Sequence, residues 1–316
     1  MDDFASSLIV RMIERSLRAQ GIAYPAARTP EPAGPRVALA RKRALIEAVL
    51  RAHGPRPLLR VGDVVGDFAA TPAARLFEAA RDPHDLIERW LRVERYFHAR
   101  HRSRLIDRGP GFAVLQHVAI DGPPPMPGED IVVAAVLRGL LAWLGAQGAT
   151  LGFPAARGRW QPAGDAIPRH TARWRLAWQA FDRRRQPTPG AGIEVPLHTA
   201  SGRELPSGLA RAVYAQAAAD PGARRTVRDY AADHGLSSRS FQRRLAENGW
   251  TLQKIVAAMR LQVAAELLST SDMPIALVGL FAGYSDQPHF QRAFQKGLGP
   301  TPGLYRQLSQ TADRAN

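Results

Sequence analysis

Thr226-Val-Arg-Asp-Tyr-Ala-Ala-Asp-His-Gly-Leu-Ser-Ser-Arg-Ser-Phe-Gln-Arg-Arg-Leu245 is followed, within the same C-terminal region, by Pro274-Ile-Ala-Leu-Val-Gly-Leu-Phe-Ala-Gly-Tyr-Ser-Asp-Gln-Pro-His-Phe-Gln-Arg-Ala-Phe294. Each stretch reads as a short apolar helix, a glycine turn and a serine or aspartate N-cap. A second helix then carries an apolar stripe and a basic outer face. That is the build of a helix that enters the major groove of DNA. Two in tandem, joined by one helix, predict a unit that reads two successive groove segments.

The phase of each second helix selects its reading face. Phe241 and Leu245 are four apart and must face the core. At about 100° per residue, Arg239, Arg243 and Glu247 then point the opposite way, with Ser240 and Gln242 on the flanks. Ser237 or Ser238 is the expected N-cap. Arginine and glutamine suit bidentate contacts with guanine and adenine edges. In the second motif Phe290 and Phe294 set the phase; Arg292 and Lys296 point outward, with Gln287, His289 and Gln291 alongside. Pro288 falls in the first turn, where its missing N–H costs little.

The spacer, Leu252 to Leu268, carries an apolar stripe of Leu252, Ile255, Val256, Met259, Val263, Ala264, Leu267 and Leu268. It spans roughly 25 Å, so it can hold two reading helices near the ~34 Å repeat of successive groove segments. Ser240, Lys296 and Arg306 are expected at phosphates, the last two because they lie at or beyond the last turn of the second motif. Arg260, among core positions of the spacer, is expected to pair locally. Gly235, Gly283 and Pro274 are punctuation.

These residues carry a family resemblance. Leu236-Ser-Ser-Arg-Ser-Phe-Gln-Arg-Arg-Leu245, Arg260-Leu-Gln-Val-Ala-Ala-Glu-Leu-Leu268, Gly283 to Phe294 and Gly299-Pro-Thr-Pro-Gly-Leu-Tyr-Arg306 resemble the AraC/XylS family of bacterial transcription regulators. The resemblance covers the C-terminal ~100 residues and implies seven helices with two reading helices on one face of DNA. It also implies that Arg239, Gln242 and Arg243, and Gln287, His289 and Arg292, occupy base-facing positions; phase alone ranks Gln242 and Gln287 as flanking. Pro288 departs from the polar residue many relatives carry there. Gly279 stands where alanine is usual and is expected to loosen its helix slightly.

Composition sets the bounds. With 316 residues and 45% hydrophobic content, the chain can bury two cores. The net charge of +15, from 43 basic and 28 acidic residues, suggests a polyanionic partner. From Pro221 onward there are 12 basic and 7 acidic residues, so +10 of the charge lies earlier and does not locate the DNA site. Only Lys42, Lys254 and Lys296 are lysines. The absence of cysteine excludes disulfides, thiolate zinc sites and thiol catalysis. Neither a signal peptide nor a bilayer span is legible: Ile131 to Gly145 is too short and is interrupted by Arg138. A cytoplasmic protein, nucleoid-associated when bound to DNA, is the expectation.

The N-terminal region reads as α+β. Phe4, Leu8, Ile9, Met12, Ile13 and Leu17 have helical spacing, as do Val37, Ile46, Val49 and Leu50. Pro83 opens a third helix with Leu86, Ile87, Trp90, Val93 and Phe97. Phe112 to Ile120 alternates as a strand. Helix is expected again at 129–146 and near 170–182, with a weaker strand from Ile193 to Leu197. The order faintly resembles the mixed α/β sensing domain that often precedes this DNA-binding unit. The expected fold is therefore an α+β sensing and dimerisation domain (residues 1–190), a linker (191–206), an all-α DNA-binding domain of two helix-turn-helix motifs joined by a linker helix (207–310), and a tail (311–316).

Other sites fare less well. His98-x-x-His101 sits in a basic stretch with Arg100, Arg102 and Arg104, at an expected helix C-terminus that favours positive charge; a metal site would want a further ligand. The same stretch, with His117 in the following strand, offers candidate effector residues: His98, Arg102, Arg104 and His117. Against this stands His117 as a satisfied core histidine. Trp143, Trp160, Trp174 and Trp178 read as core. No phosphate loop, dinucleotide loop or nucleophile elbow is present. No catalytic residue, metal or cofactor is expected. The expected partners are double-stranded DNA, a small-molecule effector, a second copy of the chain and, as a further candidate, RNA polymerase, with no membrane. The competing readings are a constitutive architectural DNA binder and an enzyme with a DNA-targeting tail.

Overall fold

The computed structural model describes residues 4–24, 36–69, 74, 77–97, 100–164, 166, 168, 170–183 and 208–313. The chain divides into two compact units, Met1–Gln186 and Pro187–Asn316. The linker expected at 191–206 and the strand expected at Ile193 to Leu197 lie outside the described residues.

The first unit runs β1 (Phe4–Ser6), α1 (Ser7–Ala19), β2 (Arg36–Ala38), α2 (Leu39–His53), α3 (Arg56–Leu59), a 3-10 helix (Val61–Phe68), α4 (Pro83–Phe97), β3 (His101–Gly109) and β4 (Phe112–Ala119). It continues with α5 (Pro127–Leu144), β5 (Ala146–Gln147), β6 (Thr150–Pro154), β7 (Trp160–Pro162), β8 (Arg173–Ala177) and β9 (Ala180–Phe181). Five of the strands form one antiparallel sheet in the order β3-β4-β8-β6-β7. Helix α5 is apolar on nearly every side and is buried from Gly128 to Leu137, as a core helix should be. The inward residues of the sheet, Ala113, Leu115, Leu151, Phe153, Trp174 and Leu176, are all buried. On another side α5 meets the 3-10 helix through paired glycines: a Cβ on Gly139 would lie 2.1 Å from the Gly62 carbonyl oxygen. No larger side chain fits that approach.

The segment near 170–182 corrects the reading above. It forms β8 and β9, not a helix. Trp174 and Trp178 are four apart, which mimics a helical stripe. Arg173 and Arg175 alternate with buried Trp174 and Leu176, and that period of two decides the structure. Strand β3 was not legible either. His101 opens it, rather than ending a helix. Val37 belongs to β2, while Gly54, at φ 68°, closes α2.

The second unit is all helix: α6 (Leu209–Ala219), α7 (Val227–Asp233), α8 (Ser238–Glu247), α9 (Leu252–Thr270), α10 (Ile275–Phe281), α11 (Gln287–Leu298) and α12 (Pro302–Asp313). These seven are all the helices among its described residues. Tyr214, Phe241, Leu245, Ile255, Met259, Val263, Leu268, Phe290 and Phe294 pack into one core. The 19-residue α9 runs through it, so one spacer supports both motifs. No helix among the described residues is long and apolar enough to cross a membrane.

Candidate nucleic-acid interface

Three of the four helices of the two motifs are fixed at the N-terminus by a side chain, and α10 instead starts after Pro274. Thr226 accepts from the Asp229 N–H at 3.3 Å while the Asp229 carboxylate takes the Thr226 N–H at 2.7 Å, a reciprocal cap. Ser237, not Ser238, caps α8 by accepting from the Ser240 N–H at 3.2 Å. Asp286 caps α11 by accepting from the His289 N–H at 2.7 Å. That bond, with the Ser285 hydroxyl, holds the Asp286 carboxyl below its usual range. Gly235 (φ 64°) and Gly283 (φ 89°) make the turns before the caps, a backbone region that other residues avoid.

The caps set the phase that the sequence requires. Phe241 and Leu245, and Phe290 and Phe294, are buried. Arg239, Gln242 and Arg243 on α8, and Gln287, His289 and Arg292 on α11, are all exposed. Arg243 lies 3.8 Å from Glu247 one turn on, and both are well exposed, a pair of the kind that contributes little and yields readily. The His289 ring sits edge-on to Tyr284 at 5.4 Å. Ser240 is half-buried and its hydroxyl receives a hydrogen bond from Ser237 at 3.0 Å.

The spacer and the second motif also form a concavity of about 660 Å³, whose lining includes Gln253, Lys254, Leu261, His289, Ala293 and Lys296. Lys254 was not singled out from sequence. Its signal was Thr251, which caps α9 by accepting from the Lys254 N–H at 3.2 Å and so places a lysine in the first turn. Arg260 packs its guanidinium over the Tyr284 ring at 5.7 Å, the local pairing expected of it.

Two expectations need correction. Arg306 is half-buried and its guanidinium donates to the Met273 carbonyl. It bolts α12 to the turn before α10 and is not presented to a phosphate. Gly279 does not merely loosen α10. A Cβ there would lie 2.6 Å from the Phe290 ring, so glycine lets the support helix seat against the reading helix.

The effector candidates of the first unit do not form one site. His98 lies outside the described residues. Ser103 pairs in register with His117, and Arg102 and Arg104 flank Ser103. Alternation therefore puts the two arginines on the face opposite His117. His117 is buried, with Nδ1 2.8 Å from Asp130 and the Thr171 hydroxyl donating to the same carboxylate at 2.7 Å. Next to it on α5, Glu129 meets Lys42 at 2.7 Å, Arg43 at 3.2 Å and the Met126 N–H at 3.1 Å. Burial, the largest single influence, raises the Glu129 pKa, but the Lys42 charge and these hydrogen bonds together outweigh it, and the value falls to about 2. Glu94 accepts from the Ser103 N–H and hydroxyl, yet burial dominates and pushes its pKa up. This is a closed ionic network that ties the sheet to the α5 N-terminus. No cluster of metal-binding side chains occurs among the described residues.

The second unit thus carries two capped, phased helices on a common spacer, the architecture of a double helix-turn-helix domain. The family model described as "Helix-turn-helix domain" matches residues 230–308. The transcriptional activator NphR of Rhodococcus is 37% identical over 81 residues, covering 26% of this chain and 24% of that protein. The ornithine utilization regulator of Pseudomonas aeruginosa is 35% identical over 71 residues, covering 22% of this chain and 21% of that protein. The chain thus spans less than a quarter of the length of these two curated relatives. The solved transcriptional regulator CdpR from Pseudomonas aeruginosa aligns over 94% of this chain and 97% of its own, at 17% identity and a TM-score of 0.38. The C-terminal region of the chain is thus similar to the helix-turn-helix regions of these transcription regulators.

Proposed function

We propose that the protein is a sequence-specific transcription regulator that reads two successive major-groove segments. Arg239, Gln242 and Arg243 read bases in one, and Gln287, His289 and Arg292 in the other. The observation that carries this reading is the shared phase: in both helices two buried aromatic or leucine residues four apart back an exposed row of arginine, glutamine and histidine. Lys296 and Lys254 face phosphates beside the concavity they line, and Ser240 does so from α8. The test is selection of preferred duplexes from a random pool by the full-length chain. A bipartite preference supports the reading, and equal binding to all sequences overturns it in favour of an architectural binder.

In the same proposal the first unit, with the segment to about residue 190, dimerises and responds to a small effector, and RNA polymerase is the further partner of the bound regulator. The apolar cleft between α1, the 3-10 helix, α4 and α5 is lined by Leu8, Met12, Phe77, Trp90 and Trp143 and holds about 40 Å³. An engineered cavity of ~150 Å³ holds benzene, so an aromatic effector would have to widen this cleft. Sedimentation of the full-length chain at micromolar concentration tests the dimer, and a strict monomer removes it.

A further inference from the structure

We propose that the face of the five-stranded sheet opposite α5, which stands exposed at Arg104, Gln116, Ile120 and Arg173 among the described residues, is a docking surface for an acidic, amphipathic helix of a partner protein. Helix α5 covers the other face. The register places Arg104 of β3, Gln116 of β4 and Arg173 of β8 side by side, and all three are exposed. Arg102 pairs with Val118, and Val114 with Arg175, on the same side. Along β4 this face carries half-buried Phe112 and Val118 and exposed Ile120, with Val114 buried between them, flanked by two rows of arginine.

Arg102 donates to the His101 carbonyl, and the free charge of this face is that of Arg104, Arg173 and Arg175. Asp107 is the acid that shares this face on β3, and its carboxylate takes the Arg108 N–H. No carboxylate pairs with Arg104, Arg173 or Arg175 among the described residues. Arg175 instead lies over the Phe112 ring at 4.4 Å, and its Nε is buried with no partner. Arg173 is 6.0 Å from the Trp160 ring. A guanidinium resting on a ring is held in place and partly dehydrated, with N–H edges left for an incoming carboxylate. Two large aliphatics also stand unusually exposed here: Ile120, at the end of β4, is 58% exposed, and Ile106, at the β3 bulge, is 44% exposed.

Geometry and charge select the occupant. The arginine rows on β3 and β8 are two strand spacings apart, ~10 Å, which is about the width of a helix. A helix laid along β4 would set an apolar stripe on the strip and bring carboxylates to both rows. A second copy of the chain would bring arginine against arginine. Duplex DNA would leave Ile120 and Val118 beneath phosphates that offer no apolar surface. A small anion would find a flat face where ligand sites are concave. The patch covers roughly 300–400 Å², which fits a weak, transient contact.

The test is fluorescence anisotropy of the full-length chain with a labelled helical peptide that carries a leucine stripe flanked by glutamates, in the presence of excess random-sequence duplex DNA. Micromolar binding is expected, with no binding of the lysine-flanked counterpart. Arg104→Glu/Arg173→Glu should weaken it at least tenfold, and Ile120→Ser a few-fold, whereas Arg157→Glu/Arg159→Glu should leave it unchanged. If charge reversal disturbs the circular dichroism spectrum, Arg104→Gln/Arg173→Gln is read instead and should still weaken binding several-fold. Equal affinity for the wild type and the neutral pair, or loss of the peptide on adding DNA, overturns the proposal. Protection of this sheet face by duplex DNA would assign it to nucleic acid.

Discussion

In the C-terminal unit the residues proposed to read bases stand exposed on helices whose other face is phenylalanine and leucine. In the N-terminal unit Lys42, Glu94, His117, Glu129 and Asp130 are buried inside the fold. The two units treat charge in opposite ways, and the difference decides both how each is broken and how far each is legible. An exposed charge on a capped helix contributes to binding and little to stability. A buried ion pair contributes little net stability, but losing one partner strands the other. The largest effect is therefore expected in the N-terminal unit. Lys42→Met leaves Glu129 buried without its closest counter-ion and should cost about 3–5 kcal/mol, read as a lower urea midpoint for that unit with the C-terminal transition unmoved. Lys42→Met/Glu129→Leu should recover most of the loss. A Lys42→Met chain as stable as the parent would mean the pair is not closed in solution.

The same pair sets an acid limit. Glu129 titrates at about 2 in the folded unit against an ordinary value of 4.5. A depressed acid contributes stability above its unfolded value and loses it as pH falls toward the folded one. The N-terminal unit should therefore weaken progressively below about pH 4.5. Glu94, raised by burial, acts in the opposite sense, favouring the fold when protonated and losing that contribution as pH rises. Urea midpoints across this range check the balance, and Glu129→Gln should flatten the acid slope.

This contrast explains what could be read from the chain. In the C-terminal unit period, cap and turn all agree, so helices, phases and the aspartate N-cap at Asp286 were legible, while the Thr226 cap was not singled out. What escaped were close approaches, which have no local signature: Gly279 against Phe290, and Arg306 folded back onto Met273. In the N-terminal unit polar residues face inward, which blurs the alternation that marks a strand. His101, Ser103 and His117 are buried on one face while Arg102 and Arg104 lie on the other, so the basic run looked like one site when it is two sides of a sheet. Trp174 and Trp178 imitated a helical stripe. The fold class was legible; the strand count was not.

Within the C-terminal unit, two turn glycines sharpen the comparison at the next scale. Both have positive φ, but a Cβ on Gly235 meets nothing, whereas one on Gly283 would lie 2.0 Å from the Pro221 carbonyl oxygen. Gly235→Ala should cost about 1–2 kcal/mol, the left-handed backbone alone. Gly283→Ala must also displace backbone and should cost clearly more. Equal losses in thermal melts would show that the Pro221 segment yields freely.

The exposed charges should leave stability almost unmoved, and their effects on binding separate specificity from affinity. Arg243→Ala should cost about 1–3 kcal/mol on a preferred duplex and relax one or two base pairs, because a bidentate fork to a base edge is lost. Glu247, whose carboxylate lies 3.8 Å away, is exposed and offers no strong competing pair. Lys254 and Lys296 line the concavity beside the spacer and lack a rigid fork. A lysine at a phosphate acts as a point charge that releases counterions whatever the sequence. Lys254→Ala and Lys296→Ala should each weaken all duplexes alike and lower the salt slope by about one unit. Binding isotherms at several salt concentrations, on preferred and scrambled duplexes, distinguish the two behaviours. A base-preference profile altered by Lys254→Ala and untouched by Arg243→Ala would exchange their roles, and would place base reading at the spacer rather than on the phased face of α8.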